Sequence, residues 1–186
     1  MGRKIEISFG FMALVCILAW VQMELCALFL LAILVHELGH LLAMKLCGIS
    51  IEHVSVKAAG AVIYGVFRSY RHELLCAAAG PVSSMLLAIL SCRLLPVLSI
   101  ASGLLGLVNL LPLYPLDGGR ILRAALLMHG KEEIALRICS RTAFVLCGIL
   151  MLGACWITVE LQAGIWPIFA ALVILCRAGE AWRSEL

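Results

Sequence analysis

Leu34–Met44 reads LVHELGHLLAM and places two histidines and one glutamate in an otherwise apolar stretch. The preceding residues, Leu25–Val35, carry no charged side chain. An uncharged run of this kind predicts a helix inside a membrane, where ionisable side chains are unfavourable and therefore mark candidate functional sites. We therefore expect a membrane-crossing helix that carries His36, Glu37 and His40.

The spacing of the three polar residues indicates a metal site. His36 and His40 are four positions apart, so both imidazoles share one helix face and can bind a single zinc ion. Glu37 lies next to them, where its carboxylate can act as a general base. In a soluble helix the same pattern can simply be polar residues on a surface. Here that face meets lipid or protein, which favours a metal site.

The composition predicts an integral membrane protein. Of 186 residues, 64% are hydrophobic and the mean hydropathy is +1.12, whereas soluble domains are about 45–50% apolar. One membrane-embedded domain accounts for residues 1–186. The net charge of +3 comes without a basic patch interleaved with aromatics, which argues against nucleic-acid binding. The nine cysteines form no C-x-x-C pair and are interpreted as small hydrophobic residues.

Apolar stretches predict six transmembrane helices. They cover residues 7–23, about 25–47, 74–92, 94–116, 142–159 and 161–176. If the N-terminus is cytoplasmic, the inside loops hold every Lys and Arg except Arg93. The positive-inside rule then predicts a multi-pass protein of the cell membrane with both termini in the cytoplasm. The histidine pair lies toward the cytoplasmic half of the second span.

Two regions do not fit simple helices. Residues 49–67 are rich in β-branched side chains around Gly60, which predicts a β-hairpin in or on the membrane, with an ordinary interfacial loop as the alternative. Residues 106–120 read GLVNLLPLYPLDGGR, and their prolines and glycines interrupt any helix. This second region contains the only asparagine, Asn109, and the only aspartate, Asp117, of the chain.

Asp117 is the best candidate for a third zinc ligand. Zinc in hydrolases usually takes three protein ligands and leaves the fourth position for water. Asp117 is predicted on the same side of the membrane as the histidine pair, and a lone carboxylate there needs a partner. The other histidines have charged or polar neighbours in predicted loops and are interpreted as solvated; they are His53, His72 and His129.

Two further features of the same region complete the expected site. Asn109 is the candidate amide donor to a developing oxyanion. Gly118 and Gly119 are expected to let the backbone turn and approach the site closely.

Together, the two motifs resemble the site-2 protease family of intramembrane zinc metalloproteases, peptidase family M50. The family pattern N-x-x-P-x-x-x-x-D-G is matched by Asn109, Pro112, Asp117 and Gly118. Ala79-Gly80-Pro81 resembles the A-G-P of a core helix in the family. The resemblance covers about residues 25–123.

The resemblance implies a fold and an activity. The fold is an all-α polytopic membrane protein with a three-helix catalytic core formed by spans two to four, within about residues 25–128, and a small membrane-associated β-hairpin after span two. The resemblance implies His36, His40 and Asp117 as ligands of one zinc ion per chain, Glu37 as the catalytic base and Asn109 as an active-site polar group. The implied substrate is a membrane-anchored protein, whose unwound segment would pair with a strand edge near Gly60.

Six spans without a PDZ domain look like the subgroup of the stage IV sporulation factor FB protease, which cleaves a membrane-associated sigma-factor precursor. This resemblance implies a bacterial membrane and a sigma-factor precursor or anti-sigma factor as substrate. It also implies that a second membrane protein can regulate the activity. The chain departs from the subgroup in three ways. We expect no CBS domain within residues 1–186. The chain also has Ser84 where the family pattern G-P-x-x-N has asparagine, and it reads Val56-Lys57-Ala58-Ala59 where relatives often have L-P-F-G. These departures bear on substrate and regulation more than on the metal site.

Other function classes give different expectations. A non-catalytic module that binds metal or a partner helix does not need Glu37. A channel or transporter would have paired halves with internal symmetry, and the sequence contains no repeat. A CAAX-type protease would take its third ligand from a downstream glutamate, whereas Asp117-Gly118-Gly119 favours the site-2 type.

Overall fold

The computed structural model describes residues 4–7, 22–49, 51–57, 60–65, 67, 69–114, 116–130, 132–160, 168 and 171–172. The chain forms two compact units, Met1–Asn109 and Leu110–Leu186. The elements of the first unit are β1 (Lys4–Ile7), α1 (Met23–Leu46), β2 (Ile51–Lys57), β3 (Gly60–Gly65), α2 (Tyr70–Ser91) and α3 (Pro96–Asn109). Those of the second are α4 (Asp117–Leu127) and α5 (Glu132–Glu160).

Three of the described helices are long and apolar enough to cross a membrane. They are α1, α2 and α5, and they coincide with the predicted spans at about 25–47, 74–92 and 142–159. The predicted spans at 7–23 and 161–176 fall almost entirely outside the described residues. The chain is therefore a multi-pass membrane protein, and the full count of six spans stays a prediction.

The helix found in place of the predicted span at 94–116 is shorter than that span. Helix α3 has 14 residues and ends at Asn109, which is less than the ~20 residues that usually cross a bilayer. Pro112 follows closely, and proline cannot supply the N–H that would continue the helix. Residues 110–114 form turns and bends instead, and α4 begins at Asp117.

Beside the helices, the first unit contains a three-stranded sheet in the order β1-β2-β3. β2 and β3 pair in antiparallel fashion, with an irregularity between Ile51 and His53, and they occupy the region where a hairpin was expected. β1 pairs in parallel with β2, so that Lys4 lies opposite His53. The sequence did not lead us to expect β1. Within the described residues, β3 forms one edge of the sheet.

The end of α1 sets the direction in which the chain enters the sheet. Gly48 has φ of +66°, a left-handed conformation that glycine adopts without strain. The Gly48 N–H donates to Lys45 O, and the Ile49 N–H donates to Met44 O, which is a Schellman motif. Met44 and Ile49 are both buried in one apolar cluster with Cys76 of α2. This cap therefore also anchors α1 against α2.

Small residues and serine hydrogen bonds hold α1, α2 and α3 together. A Cβ atom at Gly39 of α1 would collide with Ser83 and with the carbonyl of Ala79 on α2. Ser83 Oγ donates to Val35 O across the same pair of helices at 3.1 Å, and Ser99 Oγ donates from α3 to Ala88 O at 2.7 Å. In lipid, where the hydrophobic effect does not drive helix association, close packing and such hydrogen bonds do.

Candidate metal centre

The two histidines of α1 face each other at a separation that suits one metal ion. Both are buried, with exposed fractions of 4% for His36 and 7% for His40. Their Nε2 atoms are 3.2 Å apart, and the rings stand at 82° to each other. Two nitrogens bound to a tetrahedral zinc at about 2.0–2.1 Å would be separated by about 3.3 Å. The residues present therefore fit half of a zinc site.

His40 is held in the orientation and tautomer that a metal ligand needs. Its Nδ1–H donates to the backbone carbonyl of Cys76 on α2, at 2.8 Å. A carbonyl oxygen only accepts, so the proton of the neutral ring lies on Nδ1 and the lone pair on Nε2. Zinc-binding histidines commonly donate their other ring N–H to a group of this kind.

His36 is held by a side chain instead. Its Nδ1 is hydrogen-bonded to Ser84 Oγ on α2, at 2.9 Å, and Ser84 is fully buried. Ser84 is one of the departures expected to bear on substrate and regulation more than on the metal site. The structure adds that its side chain contacts a candidate ligand directly.

One face of α2 supports both histidines. Cys76, Gly80 and Ser84 are spaced by four residues, so they lie along one stripe of the helix. A Cβ atom at Gly80 would collide with the His40 ring. Sequence reasoning singled out Gly80 only as part of a family motif and missed the roles of Cys76 and Ser84. The available signal was a serine four residues after Gly80 in an uncharged span.

Glu37 and Asn109 lie in the same unit as the histidine pair. Glu37 follows His36 on α1 and is half-buried. Asn109 is the last residue of α3, and its Nδ2 donates to Leu105 O at 2.9 Å. The general-base role of Glu37 and the oxyanion role of Asn109 stay predictions.

Asp117 belongs to the second unit, where it is the first residue of α4 and has an exposed fraction of 7%. A carboxylate at a helix N-terminus is stabilised by the helix dipole. The Arg120 guanidinium, one turn later, lies 4.0 Å from the Asp117 carboxylate.

The two glycines after Asp117 allow a close contact within this unit. A Cβ atom at Gly118 would collide with the backbone of Leu110, and one at Gly119 with the backbone of Leu113 and Tyr114. The glycines let the irregular segment 110–114 lie directly on the first turn of α4. This packing fixes the backbone that carries Asp117.

The remaining histidines fall into three cases. His129 is exposed, and its Nδ1 is hydrogen-bonded to Ala125 O at 2.9 Å. His72 is half-buried near the start of α2. The His53 side chain lies outside the part that the structure describes.

Known proteins resemble this chain in sequence and in fold. Residues 90–152 match Peptidase family M50. Zinc metalloprotease MJ0392 of Methanocaldococcus jannaschii is 34% identical over 112 residues, which cover 53% of this chain and 33% of that protein. Stage IV sporulation protein FB of Bacillus subtilis is 30% identical over 164 residues, which cover 78% of this chain and 54% of that protein.

A solved structure, the site-2 protease from Methanocaldococcus jannaschii, superimposes with a TM-score of 0.71 and 26% identity, covering 97% of this chain and 91% of that one. In sequence and in fold, the chain is similar to zinc metallopeptidases of the site-2 protease family. It spans between a third and about half of the length of the two curated family members described above.

Proposed function

We propose that this chain is an intramembrane zinc endopeptidase that cleaves a membrane-anchored protein within or near its transmembrane segment, near the cytoplasmic side. The supporting observation is the geometry of the histidine pair. The two Nε2 atoms face each other at 3.2 Å, while each Nδ1 atom is hydrogen-bonded to α2. Histidines that served only as solvated surface residues would not be buried between helices with their Nε2 atoms facing each other.

His36, His40 and Asp117 are the proposed ligands of one zinc ion. Two imidazole nitrogens and one carboxylate oxygen are a donor set that zinc takes in hydrolases. All three residues are buried. Ionisable side chains in membrane segments usually face the protein interior and have a partner that compensates their charge. Arg120 would orient the Asp117 carboxylate, because ligating carboxylates are themselves usually held by a neighbouring donor.

Glu37 is the proposed general base. When bound, zinc polarises the scissile carbonyl and makes water a competent nucleophile at neutral pH. The Glu37 carboxylate accepts a proton from the attacking water and delivers it to the leaving nitrogen. The Asn109 amide, turned away from Leu105, is the proposed donor to the carbonyl oxygen as negative charge develops there.

The proposed substrate is an extended segment of a membrane-anchored protein. A peptide bond inside a helix is shielded by its own hydrogen bonds, so the segment has to unwind and find new backbone partners. Within the described sheet β2 lies between the other two strands, and β3 forms an edge. Addition of the substrate as a further strand beside β3 would supply those partners.

A regulatory sigma-factor precursor or an anti-sigma factor is the proposed substrate. We further propose that residues 1–186 act as one domain with a catalytic core at about 25–128, in a bacterial cell membrane, with a regulatory membrane partner.

The direct test is Glu37→Gln in the full chain, co-expressed with candidate membrane-anchored substrates. We expect the variant to retain zinc and to lose cleavage by about 10²–10⁴-fold, the usual contribution of a general base. Glu24→Gln is the matched control, because Glu24 lies exposed in the first turn of the same helix. If Glu37→Gln cleaves at the wild-type rate, the base assignment is wrong. A non-catalytic module would show no cleavage in the wild type either.

A further inference from the structure

Ser84 is a hydrogen-bond partner of an unusual kind for a candidate zinc ligand. His40 is paired with a backbone carbonyl, which can only accept a hydrogen bond, whereas His36 is paired with a hydroxyl, which can donate or accept. The two histidines are therefore not equivalent. Contacts connect Ser84 to His36, His36 to His40, and His40 to the Cys76 carbonyl.

For two neutral imidazoles without metal, the contacts of the histidine pair indicate where each proton lies. His40 has its proton on Nδ1, because it donates to the Cys76 carbonyl at 2.8 Å. Its Nε2 is then an acceptor, and the 3.2 Å contact between the two Nε2 atoms is a hydrogen bond only if His36 carries its proton on Nε2. His36 Nδ1 is then an acceptor too, and Ser84 O–H donates to it.

With zinc bound, His36 has to carry its proton on the other nitrogen. Both Nε2 lone pairs are then used for the metal, so the proton of neutral His36 lies on Nδ1. The group facing Nδ1 must now accept. Ser84 Oγ can do so after its O–H rotates toward a carbonyl of its own helix, a bond that helical serines commonly make. The number of protons on His36 is unchanged.

We propose that Ser84 is a positioning residue that reverses its hydrogen bond to His36 when zinc binds, and so stabilises both tautomers of this ligand. The proposal rests on the zinc site described above. A group that could only donate would oppose the zinc-bound tautomer. A group that could only accept would leave the metal-free pair with two facing lone pairs. A buried polar atom left without a partner is costly, and Ser84 avoids this in both states.

The first experiment needs no variant beyond the one used for assignment. The chain has five histidines, so the ring nitrogens can be observed by NMR with ¹⁵N-labelled histidine, and His36→Asn assigns the His36 signals. We expect His36 to have its proton on Nε2 without metal and on Nδ1 after addition of Zn²⁺. His40 is expected to keep its proton on Nδ1 in both states. The same His36 tautomer in both states would overturn the proposal.

The second experiment measures zinc affinity by competition with a chromophoric chelator. Ser84→Ala is expected to weaken zinc binding by about 10–100-fold, the usual effect of removing a partner of a ligating histidine. Ser84→Thr keeps the hydroxyl and is expected to bind zinc more tightly than Ser84→Ala, although its added methyl enters a fully buried position. Ser102→Ala is the matched control, since Ser102 is equally buried and its Oγ has no hydrogen-bond partner within the described part of the chain.

The outcomes separate this proposal from the proposed function. If the wild type binds zinc, loses it in Asp117→Ala, and Ser84→Ala binds as tightly as Ser102→Ala, only the role of Ser84 is wrong. If the wild type binds no zinc, the proposed function and the role of Ser84 are both wrong. If Ser84→Ala does not fold, the tautomer measurement on the wild type still decides.

Discussion

At the scale of single residues, Gly80 provides the space in which His40 sits. We expect Gly80→Ala to displace the imidazole, because a Cβ atom there would collide with the ring. Zinc affinity should fall by at least about 10-fold, with a loss of about 1–3 kcal/mol in the free energy of unfolding from overpacking. Gly103→Ala is the control, since its Cβ would meet Ala88 at an ordinary 3.7 Å. Equal zinc affinity in both variants would contradict this account of Gly80.

The candidate ligands could be predicted from the sequence, but their supports could not. His36 and His40 are recognised by their spacing within one helix. Ser84 lies 48 positions from His36 in the chain, and such a contact has no local pattern. The partner of His40 is a backbone carbonyl, which every residue has. Only the packing of α1 on α2 selects these two groups.

At the scale of secondary-structure elements, the start of α4 depends on the two glycines after Asp117. We expect Gly119→Ala to push segment 110–114 away from the first turn of α4, because its Cβ would collide with the backbone of Leu113 and Tyr114. The variant should lose about 1–3 kcal/mol of stability and bind less zinc, as measured by thermal unfolding and metal analysis. Gly153→Ala on α5, with no atom within 4 Å of its Cβ, should do neither. A fully zinc-loaded Gly119→Ala would refute this role.

The elements show where sequence reasoning succeeds and where it fails. The long uncharged runs predict α1, α2 and α5, because length and apolarity decide a membrane helix locally. The expected span at 94–116 ran past Pro112, although proline alone should have ended it. β1 was not expected because Lys4–Ile7 lead directly into the uncharged run at 7–23 and were interpreted as the flank of a membrane span. Their alternation of charged and apolar residues was the signal, but the pairing with β2 is a long-range contact.

At the scale of the whole molecule, the predicted six-span arrangement would put the loop around Lys57 in the cytoplasm and the one around Arg93 outside. The reason is the strong bias of Lys and Arg toward the loops on one side. Reporter fusions at these two loops should therefore give opposite results, and fusions at both termini should match the Lys57 loop. A reporter that places the Lys57 loop outside would rule out this topology.

The central claim is that two buried histidines and one carboxylate bind zinc in this membrane domain, and zinc K-edge X-ray absorption of the purified full chain tests it most directly. We predict one zinc ion per chain, with nitrogen ligands at about 2.0–2.1 Å, oxygen ligands at about 2.0–2.2 Å, and imidazole scattering from two histidines. Asp117→Ala should lose much of the bound zinc. The claim would be contradicted by a protein without zinc. It would also be contradicted by cysteine sulfur ligands at about 2.3 Å from the zinc.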